Sequence, residues 1–293
     1  MDKTNFKIDK ILLILGFLIV FISTAHADLD KKISEYVSGL IPGDGITETS
    51  IELNNADTDN INFSILGVRN LDLQSDSNFF TQFSLRNEEK NNHARMTGNL
   101  GLGYRALSSD KSFMFGANSF LDGDIFEGHK RLGFGLEAKG QLVDFSSNYY
   151  QGITRMEIVE GTEEKILSGW DYNFTTQIPH HPWARVNLQG YKWGAEKGVL
   201  DQRGMVYATE LDLSPTTQFV FSLDNSSIAS VDDVYKMELN FVYPPRENIA
   251  TAQDGKSDQA FEKSNMEDKL TAKIRRNNNL AVEIQGQVII TSK

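Results

Sequence analysis

The segment Tyr235-Lys236-Met237-Glu238-Leu239-Asn240-Phe241-Val242-Tyr243 reads in period two: Tyr235, Met237, Leu239, Phe241 and Tyr243 are apolar or aromatic, and Lys236, Glu238 and Asn240 between them are polar. Successive side chains of an extended strand point to opposite faces, so this pattern predicts a strand with one apolar and one wet face. The same reading extends through the chain. Leu132, Phe134, Leu136 and Ala138 alternate with Gly133, Gly135, Glu137 and Lys139, and Met205, Tyr207, Leu211 and Leu213 oppose Glu210 and Asp212. Trp170, Tyr172 and Phe174 face away from Asp171 and Asn173. Helical spacing is nearly absent from Ile61 to Tyr243. Each segment approaches the roughly 9–11 residues that a tilted strand needs to cross a membrane.

Alternation alone also fits a soluble sandwich. Two features favour a barrel. The polar face carries full charges and glycines, as a lumen would. The connections also alternate in length: segments near 86–92, 122–130, 155–164, 193–202 and 225–234 are long and polar, and those near 73–77, 107–111, 141–144, 179–182 and 214–216 are short. Outer-membrane barrels have long external loops and short periplasmic turns. The expected fold is an all-β, transmembrane, antiparallel up-and-down barrel of about twelve strands over residues 46–243. Its first strand is Ile46–Asn54, the weakest of the set, on Ile51 and Leu53.

Composition removes other classes. Among 293 residues there are 29 Lys+Arg against 40 Asp+Glu, a formal net charge of −11, which disfavours a nucleic-acid groove. The absence of cysteine excludes disulfide scaffolds, cysteine nucleophiles and cysteine zinc sites. At the N-terminus, Lys3, Lys7 and Lys10 precede an apolar run from Ile11 to Ile22, and Ala25-His26-Ala27 fits a small-x-small cleavage site. Residues 1–27 are expected to be a signal peptide, and 28–45 a short periplasmic segment.

Candidate chemistry is sparse. His93 and His129 are expected in external loops, and His180-His181 in a periplasmic turn. No Ser/His pair is placed for lipid hydrolysis. Asp122-Gly123-Asp124 offers too few oxygens for Ca²⁺ and reads as a solvated turn. No catalytic, metal or cofactor residue is assigned, and no enzymatic activity is expected. Trp170, Tyr172, Trp183, Tyr191, Trp193, Tyr207, Tyr235 and Tyr243 are expected at membrane interfaces, where amphipathic rings settle. By parity Gly101, Gly103, Gly116, Gly133 and Gly135 point into the lumen. They either leave room for a passing segment or serve strand coiling and barrel closure.

A resemblance follows from several pieces in order. Phe79-Phe80-Thr81-Gln82, Asn99 to Arg105 (NLGLGYR), Gly116 to Asp124 (GANSFLDGD) and His129 to Glu137 (HKRLGFGLE) resemble the barrel of the intimin/invasin family of inverse autotransporters. So do Gly169-Trp170-Asp171, Leu211-Asp212-Leu213-Ser214-Pro215 and Arg276-Asn277-Asn278-Asn279-Leu280, which together cover roughly residues 60–285. The resemblance implies a twelve-stranded outer-membrane barrel, a linker threading back through the pore, and an extracellular passenger of Ig-like domains. The linker would run from Pro244 to Arg276, with Ser257–Ile274 able to form some helix, and Arg276, Asn277, Asn278 and Asn279 are its post-barrel motif. A polar tail outside the barrel is the alternative that composition alone favours.

Fourteen residues follow Asn279, room for one strand and not for an Ig-like domain, which needs about 100 residues. Residues 244–293 are therefore expected to be a linker and short tail without a passenger domain. The expected function is to anchor and translocate a C-terminal segment at the Gram-negative outer membrane. The alternative is a stand-alone structural or pore-forming barrel plugged by its own tail. Expected partners are outer-membrane lipid, the barrel-assembly machinery and periplasmic chaperones. A host or cell-surface receptor enters only where a passenger exists, and no nucleic acid is expected. Leu239, Phe241 and Tyr243 of the last strand resemble the signal that the assembly machinery reads.

Overall fold

The computed structural model describes residues 42–55, 61–90, 93–159, 161–195, 201–227, 232–284 and 287–289. Residues 1–27, expected to be a signal peptide, and 28–41 of the expected periplasmic segment lie outside these. In chain order the strands are β1 (Gly45–Asn54), β2 (Ile61–Leu73), β3 (Ser77–Lys90), β4 (His93–Leu107), β5 (Phe113–Asp124), β6 (Lys130–Gly140) and β7 (Val143–Gly152). There follow β8 (Glu157–Val159), β9 (Thr162–Ile166), β10 (Gly169–Ile178), β11 (His181–Trp193), β12 (Gln202–Asp212), β13 (Thr217–Ser226), β14 (Val234–Tyr243), β15 (Val282–Ile284) and β16 (Gln287–Ile289).

Twelve of them, β1–β7 and β10–β14, form a closed antiparallel barrel in which β1 pairs with β14. The remaining four make a separate small sheet in the order β16-β15-β9-β8. Its first pair, β8 and β9, arises within the connection between β7 and β10.

Alternation decides which way each strand faces. On β4, Leu100, Leu102 and Tyr104 are exposed on the outside, and Asn99, Gly101, Gly103 and Arg105 between them are buried. Phe113 and Phe115 of β5, Phe134 and Leu136 of β6, and Phe145 and Tyr149 of β7 continue the outer apolar belt. Inside, Arg131, Asp122, Glu137 and Asp171 are buried. This inverts the soluble-protein rule and suits a sheet whose outer face meets hydrocarbon.

Connections at one end are short (74–76, 108–112, 141–142, 179–180 and 213–216), and most at the other are longer. The expected loop at 86–92 is an exception. β3 runs to Lys90 and β4 resumes at His93, so this hairpin overhangs as paired strand. Arg86, Asn87 and Glu88 put polar groups on both parities and hide the alternation there.

After Tyr243 the chain turns back beneath the barrel. It makes a single 3-10 turn at Ala252–Asp254 and one short helix, α1 (Asp268–Thr271). The helix expected within Ser257–Ile274 is thus one turn long. Extended backbone in that stretch is instead held by wall side chains.

Candidate functional site: the threaded lumen

The tail enters at the short-turn end. Arg246 reaches Asp212 at 2.6 Å and donates to the Ser214 and Pro215 carbonyls. The Trp183 indole donates to Gly255 O at 2.7 Å, and the His180 ring meets Ser257 O at 3.1 Å. Further in, the Gln177 amide both donates to Glu262 O (2.7 Å) and accepts from Glu262 N (3.0 Å). Lys269 at the base of the lumen pairs with Asp144 at 2.5 Å. In each contact, a wall group satisfies tail backbone or charge that would otherwise be buried unpaired.

The centre of the lumen is more densely held. Arg105 on β4 pairs with Glu137 on β6 and also donates to Leu270 O and Ala272 O of the tail. Ile274 packs among Leu66, Val68, Phe80 and Phe120, and its amide donates to Gln82 at 2.7 Å. Lys273 meets Glu48 on β1, and Arg275 makes a two-pronged pair with Glu210 on β12. Successive tail residues thus address different walls, as an extended chain requires.

The Arg276-Asn277-Asn278-Asn279 motif occupies a built socket. Asp122 on β5 receives Arg276 at 2.7 Å and Arg131 at 2.8 Å, and the Arg276 side chain is only 1% exposed. Arg131 also donates to Asn277 O (2.8 Å) and Asn279 O (3.0 Å), and Asn99 donates to Asn278 O. The Asn277 amide donates to the Tyr150 hydroxyl at 2.7 Å, which itself donates to Asp171. Arg276 stacks on Phe120 with 4.1 Å between its guanidinium carbon and the ring centroid, and Arg131 stacks on Tyr150 at 4.2 Å. Two planar cations share one buried carboxylate, with further donors of Arg131 going to backbone carbonyls and one of Arg276 to Asn278 Oδ1, the arrangement for which guanidinium is suited and ammonium is not.

The inward glycines are mostly filled from within the wall. A Cβ on Gly101 would lie 2.5 Å from the Phe120 ring, and one on Gly103 2.5 Å from Phe80. Gly135 is flanked by Asn118 and Asn148, and Gly116 by Glu137 and Arg105. Only Gly133 abuts the tail directly, with Arg276 Nη2 2.9 Å from its Cβ position. Gly101 and Gly103 act one step removed: they let Phe120 and Phe80 lie flat against the wall beneath Arg276 and Arg105. Leu239, Phe241 and Tyr243 lie on the outer face of β14, opposite in parity to the inward Glu238 and Asn240.

At the other end the tail emerges against the β8–β9 hairpin. Leu167 N donates to Ala281 O, and β15 pairs antiparallel with β9 through Val282↔Ile166 and Ile284↔Glu164. Where one strand was expected after Asn279 there are two, since β16 folds back on β15. Glu164 anchors the hairpin to the barrel through Arg95 at 2.5 Å and His129 at 3.4 Å. Burial pushes the Glu164 carboxyl up, but the His129 ring and the Arg95 guanidinium outweigh this and hold it below the usual carboxylate value.

Several expectations are corrected here. Trp183, Tyr191 and Trp193 are not membrane-interface rings. They share the inward parity of β11 with Asn187 and Gln189, and Trp193 packs against Tyr150, Tyr191, Leu167 and Ala281. Their parity with Arg185, Asn187 and Gln189 was the available signal. Asp122 and Asp124 are not turn acids but buried inward residues of β5, and His129 is buried rather than in an open loop. The sequence pattern also left unassigned the lumen partners Arg105, Glu137, Tyr150 and Asp171.

The comparisons agree with this architecture. Residues 22–278 match the family model of the inverse autotransporter β-domain. An attaching and effacing protein homolog of Escherichia coli (strain K12) is 29% identical over 109 residues, 36% of this chain and 37% of that protein. The inverse autotransporter adhesin YeeJ of the same strain is 22% identical over 225 residues, 73% of this chain but 9% of its own length. Invasin of Yersinia enterocolitica is 28% identical over 125 residues, 42% of this chain and 14% of that protein. The matches thus span well under half the length of each of these relatives. A chain solved in work on in-meso crystallization of membrane proteins has a TM-score of 0.64 at 17% identity, covering 82% of this chain and 99% of that one. The chain belongs to the inverse autotransporter β-domain family, and its barrel is that of a Gram-negative outer-membrane autotransporter.

Proposed function

We propose that this barrel anchors, and carries to the cell surface, the segment that follows its Arg276-Asn277-Asn278-Asn279 motif. The observation that carries the reading is the course of the tail: it enters among the short turns, is held by residues from β1, β3–β7, β10 and β12, and leaves against the β8–β9 hairpin. In this reading the short-turn end faces the periplasm, residues 1–27 direct export, and residues 28–45 lie in the periplasm. The barrel-assembly machinery reads Leu239, Phe241 and Tyr243, and periplasmic chaperones accompany the unfolded chain. An adhesive role belongs to whatever the barrel displays. Relatives named as an adhesin and an invasin give the kind of cargo that such a barrel serves.

Protease shaving of intact cells with an epitope tag after Lys293 tests it. Cleavage or labelling of the tag from outside is the expected result. A tag protected until the outer membrane is breached would overturn export. The second reading, a stand-alone barrel plugged by its own tail, draws support from the buried Asp122–Arg131–Arg276 lock, which is as suited to a permanent plug as to a transit path.

A further inference from the structure

β1 and β14 meet at the one neighbouring pair of barrel strands that joins the two ends of the barrel sequence. No hairpin brings them together, so closure depends on contacts made across the seam itself. Eight residue pairs span it, from Thr47↔Tyr243 to Asn54↔Lys236. On the inward face the register places Glu52 directly opposite Glu238, and Glu48 lies two repeats of the pleat further along β1, with Ser50 between. Like charges directly opposite each other on one sheet face are destabilising.

The barrel wall offsets part of this. Arg86 of β3 pairs with Glu52 at 2.5 Å, and Asn62 of β2 donates to Glu52 at 3.2 Å. Lys236 of β14 adds a second wall cation facing Glu52. The charged groups facing Glu238 are Glu52, Lys273, Arg86 and Glu48. Lys273 alone among these comes from outside the wall, and its ammonium sits 2.5 Å from Glu48. A cavity of about 280 Å³ lies beside the tail on this side of the lumen and includes Glu48, Glu52, Glu238, Arg86, Lys236 and Lys273 in its lining. Across this cavity Lys273 carries the tail's charged contact to the seam.

We infer that Glu48 and Glu238, crowded by Glu52, form a binding site for a primary ammonium on the closing seam, and that its occupation by Lys273 couples seating of the tail to closure of the barrel. Without the tail, the seam holds three carboxylates against Arg86 and Lys236. With it, the third cation arrives. The barrel then closes most stably around a chain already in its lumen, and the tail acts as a strut as well as a passing segment. This goes beyond the export reading and stands or falls separately from it, because it concerns assembly and not the fate of the C-terminus.

The test uses the full chain with Lys273→Gln, Arg275→Gln and Glu238→Gln, singly and combined. The readouts are the temperature at which the compact, heat-modifiable band is lost on gels and disulfide trapping between Ser50→Cys and Asn240→Cys, a register pair across the seam. The chain has no native cysteine to interfere. Lys273→Gln should lower that temperature by several degrees and slow trapping, and Glu238→Gln should restore both. Arg275→Gln, whose partner Glu210 lies on β12, serves as the control: Glu238→Gln should not rescue it. Equal behaviour of the Lys273 and Arg275 variants, or no rescue by Glu238→Gln, would overturn the inference. Should Lys273→Gln yield no compact band at all, recovery of the band in Lys273→Gln/Glu238→Gln supports it, and continued absence counts against it.

Discussion

At the scale of single residues, the most consequential group in the lumen is the Asp122 carboxylate. It is fully buried and is shared by Arg131 and Arg276. Removing one partner of a buried ion pair typically costs about 3–5 kcal/mol, because the remaining charge is left uncompensated. Asp122→Asn keeps the shape and the Asn99 contact but loses the charge. It should release the tail nearly as much as Asp122→Ala, seen as protease sensitivity of the 269–281 segment in the folded barrel. If Asp122→Asn keeps full protection, hydrogen bonding rather than charge holds the motif. Gly101→Ala probes the same socket from behind, since the new methyl would meet the Phe120 ring. Glu164 offers a pH handle outside the barrel strands. Its folded-state carboxyl titrates below the usual 4.5, so the stability that it gives the β8–β9 hairpin is complete above that value and is lost as pH falls through the folded value. Amide exchange in 162–166 should therefore be protected at pH 7 and accelerate as the medium is acidified below about 4.5. A hairpin that loosens instead on raising pH from 5 to 8 would contradict this sign.

Elements differ in how plainly the sequence announces them. The barrel strands were legible because lipid on one side and a polar lumen on the other impose strict alternation on every strand that crosses. β14 shows it in Met237, Leu239 and Phe241 against Lys236, Glu238 and Asn240, and β1 shows it more weakly in Ile51 and Leu53. β8, β9, β15 and β16 were not legible, as strands of three to five residues carry no period, and β15 takes its structure from β9 across more than a hundred residues of chain. The socket was legible only as a motif: Arg276 to Asn279 could be picked out, but a segment held largely through its carbonyls and amides leaves little trace in its side chains. β14 itself carries the element-scale prediction. Phe241 lies on the outer face opposite Thr49 and Thr217, where a charged side chain facing lipid is destabilising. Phe241→Asp should abolish the compact band in cells, whereas Phe241→Leu should preserve it. Normal heat-modifiable migration of the aspartate variant would remove β14's outer face from the assembly argument.

For the whole molecule, the question is what the lumen becomes when the tail is not in it. Between Lys269 and Arg276 the tail brings Lys269, Lys273, Arg275 and Arg276 and no acid, and these meet Asp144, Glu48, Glu210 and Asp122 on four different strands. The wall is thus acidic where the tail is basic, and the fit is electrostatic around the full circumference. Deleting Pro244–Lys293 leaves those four carboxylates facing open water in a twelve-stranded barrel. In planar bilayers the full chain should show little conductance, because the tail and its wall partners occupy the centre of the lumen. Deleted barrels that assemble should show a clear step upward, with a reversal potential in a salt gradient that favours cations. Low, unselective conductance in both would mean that the wall collapses inward once the tail is gone, and the tail would then be a core element of the fold. A large step on deletion, together with a C-terminal tag that stays protected on intact cells, would favour the plugged pore. The same step with a surface-exposed tag is what an export channel caught with its chain in place requires.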